Sequence, residues 1–349
     1  FRFFAWPLSY DRGAGLETTI LASDPAATPA LSVFALGHVD ASLSILKLLP
    51  DGIRDTVETI LAFRLLSKLW IQYRIDCGIN QGRTLFSPDN GYELRVFTAL
   101  VDEVCDWAPL RSASNTVRSN APALAGIERQ LYDDEIEHKL PLLLEVSEQV
   151  DRLTADMDPI RRAGFLIDRC QKLDEVSDYG ICWALNLVIA FHMKPLGMSK
   201  ASVPFPALFR RELLRFDRSQ SWRDGALLAA LAESAHEVSA AIFDCVHSKS
   251  AFDGAFEGLR RNSRLGLAHT YLCGIGEIAP SLLARLIGCS EPGARKMLNQ
   301  LVEAGFATRH PPSPAFVRSE RFRLGWSGAA WLRLFSISDA PLRTDHFDD

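Results

Sequence analysis

The sequence predicts a mainly α-helical protein. A helical body precedes a pair of short helices around a tight turn, and a short β-hairpin follows them. Three observations predict this. Apolar residues recur at helical spacing between positions 41 and 272. Strand patterns are nearly absent before position 306. The stretch 281–305 carries the start, turn and stop signals of two short helices.

The first 40 residues read as an extended N-terminal arm. Trp6-Pro7, Gly13, Gly15, Pro25 and Pro29 break any period there, and Phe1, Phe3, Phe4 and Trp6 are expected to pack onto the body. Positions 41–200 form the helical body. Leu43, Leu46, Leu48 and Leu49 make a short helix that ends at Pro50-Asp-Gly52. Positions 53–75 follow as a long helix. Val57, Ile60, Leu61, Phe63, Leu65, Leu66 and Leu69 cover so much of its girth that it must be central and buried. Positions 92–107 read as a helix and 109–120 as a polar loop. Pro122 suits the first position of another helix. The charged run Asp133-Asp-Glu-Ile-Glu-His138 then precedes helices at 140–153, 160–173 and 178–193. Gly197, Pro204 and Pro206 mark 194–206 as a linker or surface loop.

Positions 201–259 read as a helical linker and a candidate dimerisation region. In the helix at 222–247, Leu227, Leu231, Ala235, Val238, Ile242 and Cys245 approximate a heptad seam. Such a seam is either an intramolecular core face or the interface of a homodimer.

Positions 260–335 hold the most informative stretch, and 336–349 are a tail. Leu283, Leu286 and Ile287 share one helix face, and Ala284 is small enough for a second helix to approach closely. Gly288 allows a left-handed turn. Ser290 suits the N-cap of the next helix and Glu291 its first turn. Ala294, Met297, Leu298, Leu301 and Val302 form the apolar face of that helix, and Gly305 ends it. Glu291, Arg295, Lys296, Asn299 and Gln300 lie off that face. Positions 306–310 and 315–324 read as two strands around the loop Pro311-Pro-Ser-Pro314.

This stretch resembles the helix-turn-helix of bacterial DNA-binding proteins, with the hairpin as the wing of a winged helix. The resemblance implies double-stranded DNA as a partner. Arg, Asn and Gln are shaped to contact purine edges in the major groove. The implied DNA contacts are Ser290, Glu291, Arg295, Lys296 and Asn299 on the two-helix unit, and Arg309, Arg318 and Arg321 on the hairpin. Arg318, nearest the loop, is the expected phosphate contact. Arg260, Arg261 and Arg264 ahead of the unit are further candidates for phosphate. Modules of this shape also serve as protein-interaction surfaces.

Charge fits the DNA reading. The whole chain has a formal net charge of −5, which argues against a charge-driven, histone-like binder. Between Arg260 and Arg323 ten basic residues face four acidic ones, so this segment is basic and the remainder acidic. Uneven charge by chance remains the alternative.

The seven cysteines are scattered and form no Cys-x-x-Cys pair, which points to reduced thiols in a cytoplasmic protein. The apolar run 181–191 is too short to span a bilayer, so no membrane association is expected. No cofactor or metal is expected either. Asp134 and His138 are four apart on a helix, but no second histidine has matching spacing, and a charged run is usually a solvated face. Asp244, Cys245 and His247 are neighbours in sequence only. No nucleophile elbow or phosphate-binding loop occurs.

The arrangement as a whole resembles a bacterial family with a helical body and a C-terminal helix-turn-helix. More distantly, it is similar to the Fic-like architecture, in which a helical nucleotide-transfer domain precedes a winged helix. Asp178-Tyr-Gly-Ile-Cys-Trp and Pro204-Phe-Pro-Ala-Leu-Phe209 carry that second likeness, over roughly 160–325. The Fic motif His-Pro-Phe-x-x-Gly-Asn-Gly-Arg is absent, so nucleotide transfer would lack its general base and its anion clamp. The expectation is a non-enzymatic, sequence-specific DNA-binding regulator. Its body would dimerise or sense a small-molecule or protein effector. An interaction scaffold or a degenerate transferase are the alternatives.

Overall fold

The computed structural model describes residues 41–42, 44, 46–79, 84–87, 90–153, 159–176, 180–191, 208–259, 263–309 and 315–319, together with Gly37. The expectations for the N-terminal arm, the 194–206 linker, Arg260, Arg261, Arg321 and the tail fall outside these residues. The protein is mainly helical, with a small three-stranded sheet.

Helix α1 (Asp51–Asp76) organises the body. Val57, Ile60, Leu61, Leu65, Leu66 and Leu69 are buried on several sides of it, as its apolar girth requires. Five helices pack around it: α2 (Glu93–Val104), α3 (Ala108–Asn120), α6 (Cys182–Phe191), α7 (Gln220–Ala255) and α8 (Leu265–Ile275). Near its C-terminal end Trp70, Tyr73, Phe97 and Trp183 form one aromatic cluster, with Tyr73 edge-on to Trp183 at 5.6 Å. Two further helices, α4 (Ile127–Asp151) and α5 (Pro159–Val176), complete this layer.

Two expectations need correction, and one open alternative is decided. Positions 109–120 are helix α3, not a loop. Pro109 sits in its first turn, and Leu110, Ala113, Ser114 and Val117 recur at helical spacing on its buried face. Ser114 is accommodated there because its hydroxyl donates to the Thr98 carbonyl at 3.1 Å. Second, the charged run 133–138 lies inside one continuous helix, α4. That helix starts after Gly126, whose φ of 54° breaks the chain, and not at Pro122. Of the two alternatives for the heptad-like seam of α7, the structure has the intramolecular core face. Leu227, Leu231, Ala235, Val238, Ile242 and Cys245 are each at most 1% exposed. The seam is taken up by the chain's own body and is not available to a second copy. Helix α7 is long and apolar enough to cross a membrane by length and composition alone. Its apolar face is spent inside the protein.

The last described elements form a head. After α8 come β1 (Glu277–Ile278), α9 (Pro280–Ile287), α10 (Glu291–Glu303), β2 (Ala307–Arg309) and β3 (Phe316–Arg318). Strand β3 lies between β1 and β2 and is antiparallel to both, with Ile278 opposite Phe316 and Arg309 opposite Phe316 across the two ladders. Strand β1 was not expected from the sequence, since two residues are too few to show a period. The head has its own apolar core, including Leu272, Leu283, Leu298, Leu301, Phe306 and Phe316.

Helix α8 serves both cores. Its other side lies against α1, where Tyr271 meets Phe63 edge-on at 5.6 Å. Gly274 permits that approach: a Cβ there would stand 2.8 Å from the Phe63 Cβ and 3.4 Å from the Ile60 carbonyl oxygen. Neither atom is the end of a flexible side chain. Gly274→Ala is therefore expected to destabilise the protein by about 1–3 kcal/mol through overpacking. Urea denaturation followed by circular dichroism measures this, and an unchanged midpoint would mean that α8 does not dock this tightly.

Candidate nucleic-acid interface

Local chemistry fixes the two-helix unit. Ala284 is buried between α9 and α10. Gly288 adopts φ 70° and ψ 47°, the left-handed conformation that closes α9 with Cys289 N–H donating to the Ala284 carbonyl at 3.0 Å. Arg264 donates to the Gly288 carbonyl at 2.7 Å, placing a cation at the carbonyl end of α9. Its side chain thus supports the turn, whatever else it touches. Ser290 is the N-cap of α10 and its hydroxyl accepts from Gly293 N–H at 3.3 Å. Ser290 is therefore occupied with starting the helix.

Helix α10 divides cleanly. Ala294, Leu298 and Leu301 are fully buried against α8 and α9. Glu291, Arg295, Lys296 and Gln300 are exposed and Asn299 is half-buried, and together with Pro292 and Glu303 they line one shallow open groove. Arg295 donates to Glu291 at 3.0 Å. Both side chains are well exposed, and such surface pairs contribute about 0–1 kcal/mol, so Arg295 is readily released to another acceptor. Arg309, on β2, donates to Asn299 Oδ1 at 3.0 Å. Six of the eight expected contacts are thus exposed or half-buried: Ser290, which caps the helix, and Glu291, Arg295, Lys296, Asn299 and Arg309.

Arg318 departs from expectation. It is only 6% exposed and faces the body, where both its terminal nitrogens bind Asp244 of α7, at 2.6 and 2.9 Å. Arg64 of α1 binds the same carboxylate at 2.5 Å and also donates to the Cys273 carbonyl of α8 at 3.0 Å. A guanidinium held bidentate on a buried carboxylate cannot reach a phosphate. The expectation of a phosphate contact at Arg318 is therefore withdrawn. The sequence carried a hint of this network: Asp244 stands between Ile242 and Cys245 of the buried seam, where an isolated carboxylate would be costly. Burial pushes the Asp244 carboxyl up, but Arg318 and Arg64 outweigh it and hold it below the usual carboxylate range.

Behind this network lies a second buried cluster. Ser248 Oγ is 3.2 Å from His269 Nε2 and 3.2 Å from Cys273 Sγ, and His269 stacks on Phe252 at 4.4 Å between ring centroids. Burial, with Arg318, Lys249 and Arg64 nearby, pushes His269 down to about 3, so it is neutral. The cluster is enclosed, with His269 at 0% exposure, and is a packing element that a substrate could not reach. Three buried thiols are similarly withdrawn from chemistry. Burial pushes Cys105 and Cys245 up to about 11 and Cys170 to about 12. All seven cysteines are free. His138 Nδ1 lies 2.6 Å from the Asp134 carbonyl oxygen, a helix-internal contact, and among the described residues no group of three metal-binding side chains occurs. No protein-family model matches this chain, and no curated protein matches it.

Two stability measurements follow. Asp244→Asn leaves two buried guanidiniums without their carboxylate and should cost about 3–5 kcal/mol, read as a lower denaturation midpoint. A neutral result would show that Arg64 and Arg318 find water. His269 gives a pH dependence. Its folded pKa lies below its unfolded value, so its stabilising effect is present above about pH 6.5 and is lost as pH falls toward 3, with a slope up to about 1.4 kcal/mol per pH unit. Asp76, pushed up to about 6 by burial against the pull of Arg211, has the opposite slope, confined to the window between its ordinary value of 3.8 and about 6. The difference between wild type and His269→Gln isolates the histidine. Parallel stability curves for the two proteins would mean that His269 takes up its proton in the folded state.

Proposed function

We propose that positions 260–335 form a winged helix-turn-helix domain and that the protein binds double-stranded DNA through it, sequence-specifically, as a transcriptional regulator. The observation that carries this reading is the outward face of α10. A left-handed turn and a capped start set that helix on a packed base, and Arg295, Lys296, Asn299 and Gln300 line its free side. The order helix, strand, helix, turn, helix, hairpin, with β1 closing the sheet, fits a module that lays its last helix in the major groove. The basic balance of this segment supports the same reading. In this reading Arg295 and Asn299 read base edges, Lys296 faces phosphate, and Ser290 and Arg318 hold the module's structure.

The body would then orient the reading head. Any homodimer must use a surface other than the α7 seam, which is buried. A shallow groove where α3 meets the head, lined by Arg111, Ser112, Asn115, Tyr271 and Leu286, is a place where a small-molecule effector could touch both parts. The competing reading is a protein partner. Glu291 and Glu303 bracket the basic residues of α10, which leaves that face close to neutral, and a neutral polar face also suits protein.

The test begins with selection of duplexes from a fully randomised DNA pool. Fluorescence anisotropy over a salt series then compares wild type, Arg295→Ala and Lys296→Ala on the selected and a random duplex. Arg295→Ala should cost about 1–3 kcal/mol on the selected sequence and relax specificity at one base position. Lys296→Ala should weaken both duplexes alike and reduce the salt slope by about 0.9. If both variants bind as wild type does, this surface does not read DNA and the protein-partner reading replaces it.

A further inference from the structure

Asn299 is not a free carboxamide. Strand β2 returns alongside α10 after the Gly305 turn, and this brings Arg309 to the side of Asn299. Arg309 Nη2 donates to Asn299 Oδ1 at 3.0 Å. The guanidinium is steadied from a second direction, standing 6.0 Å from the ring centroid of Phe316, its partner across the β2–β3 ladder. A guanidinium has donors only, so the carboxamide has one permitted orientation: oxygen toward Arg309, nitrogen away from it. A flip would set N–H groups against N–H groups.

We propose that Arg309 is a positioning residue that sets the base preference of Asn299, and that the base so read is adenine. The inference rests on the DNA-binding reading above. One lone pair of Oδ1 is taken by Arg309, which leaves the other for the adenine N6 amino group, while Nδ2 donates to N7. Guanine offers acceptors at both places, and the held oxygen would face its O6. A carboxamide released from Arg309 can turn both N–H groups toward guanine and loses that discrimination. The hairpin thereby contributes to sequence choice through α10, without itself entering the groove.

The test uses the duplex recovered from the randomised pool by wild-type protein, and the same duplex with each base substituted in turn. Wild type should prefer adenine over guanine by about tenfold or more at one position, and Asn299→Ala should abolish that preference. Arg309→Ala should reduce the preference at that same position to within about threefold, and adding it to Asn299→Ala should change the preference no further. Arg309→Lys keeps the charge but not the fixed fork, so affinity should largely return while the adenine preference stays weakened. An Arg309→Ala protein that binds all duplexes more weakly but keeps the full adenine preference would overturn the proposal, since Arg309 would then act on phosphate alone. Wild-type protein without any base preference would instead overturn the DNA-binding reading on which it stands. Unchanged melting of the exposed-site variants confirms that loss of fold does not produce the effect.

Discussion

Asp244 carries a negative charge into an apolar interior, and two guanidiniums are bound to it. Each comes from a different part of the chain: Arg64 from the central helix α1 and Arg318 from the last described strand. Arg64 also holds the Cys273 carbonyl of α8. One carboxylate therefore links the body to both ends of the head. Charge pairs of this kind add little net stability, because desolvation opposes the attraction. They are severe about geometry, however. If β3 shifted away, Arg318 would lose its bidentate partner and the buried Asp244 would keep only Arg64. Together with the close packing of Gly274 on Phe63, this makes the head a fixed extension of the body. The outward face of α10 is consequently presented at one angle.

That fixity bears on how the reading face would work. Of the side chains that would meet a base edge, Asn299 is already held, by Arg309, whereas Arg295 shares only a weak surface pair with Glu291. A pre-ordered side chain loses less conformational entropy on binding than a free one. The arginines have divided roles. Arg264 closes the turn, Arg318 locks the strand, and Arg295 and Arg309 remain at the surface. A count of basic residues over this segment thus overstates the charge that is free to meet phosphate.

Much of the fold was legible in the sequence, for identifiable reasons. Helix α1 announced itself through apolar residues around most of its girth. The two-helix unit did so through Gly288 and Ser290, whose backbone and capping roles are local. Helix α3 was missed because Ser, Asn and Arg outnumber its apolar residues, and its narrow buried face depends on a tertiary bond from Ser114 to Thr98. The α7 seam was legible as a seam, but spacing does not reveal whether the chain itself or a second copy covers it. Of the candidate site, the outward residues of α10 follow from helical period alone. The pairing of Arg318 with Asp244 joins positions 74 residues apart, and no local pattern encodes it.

The outward face of α10, fixed on the body, is the surface we propose to meet DNA. A photo-crosslinking side chain at Gln300, compared with one at the exposed Glu137 of α4, tests this most directly. Position 300 is expected to give duplex crosslinks that excess unlabelled selected duplex competes away, and position 137 none. Crosslinks of equal yield from both positions, or from position 137 alone, would contradict it.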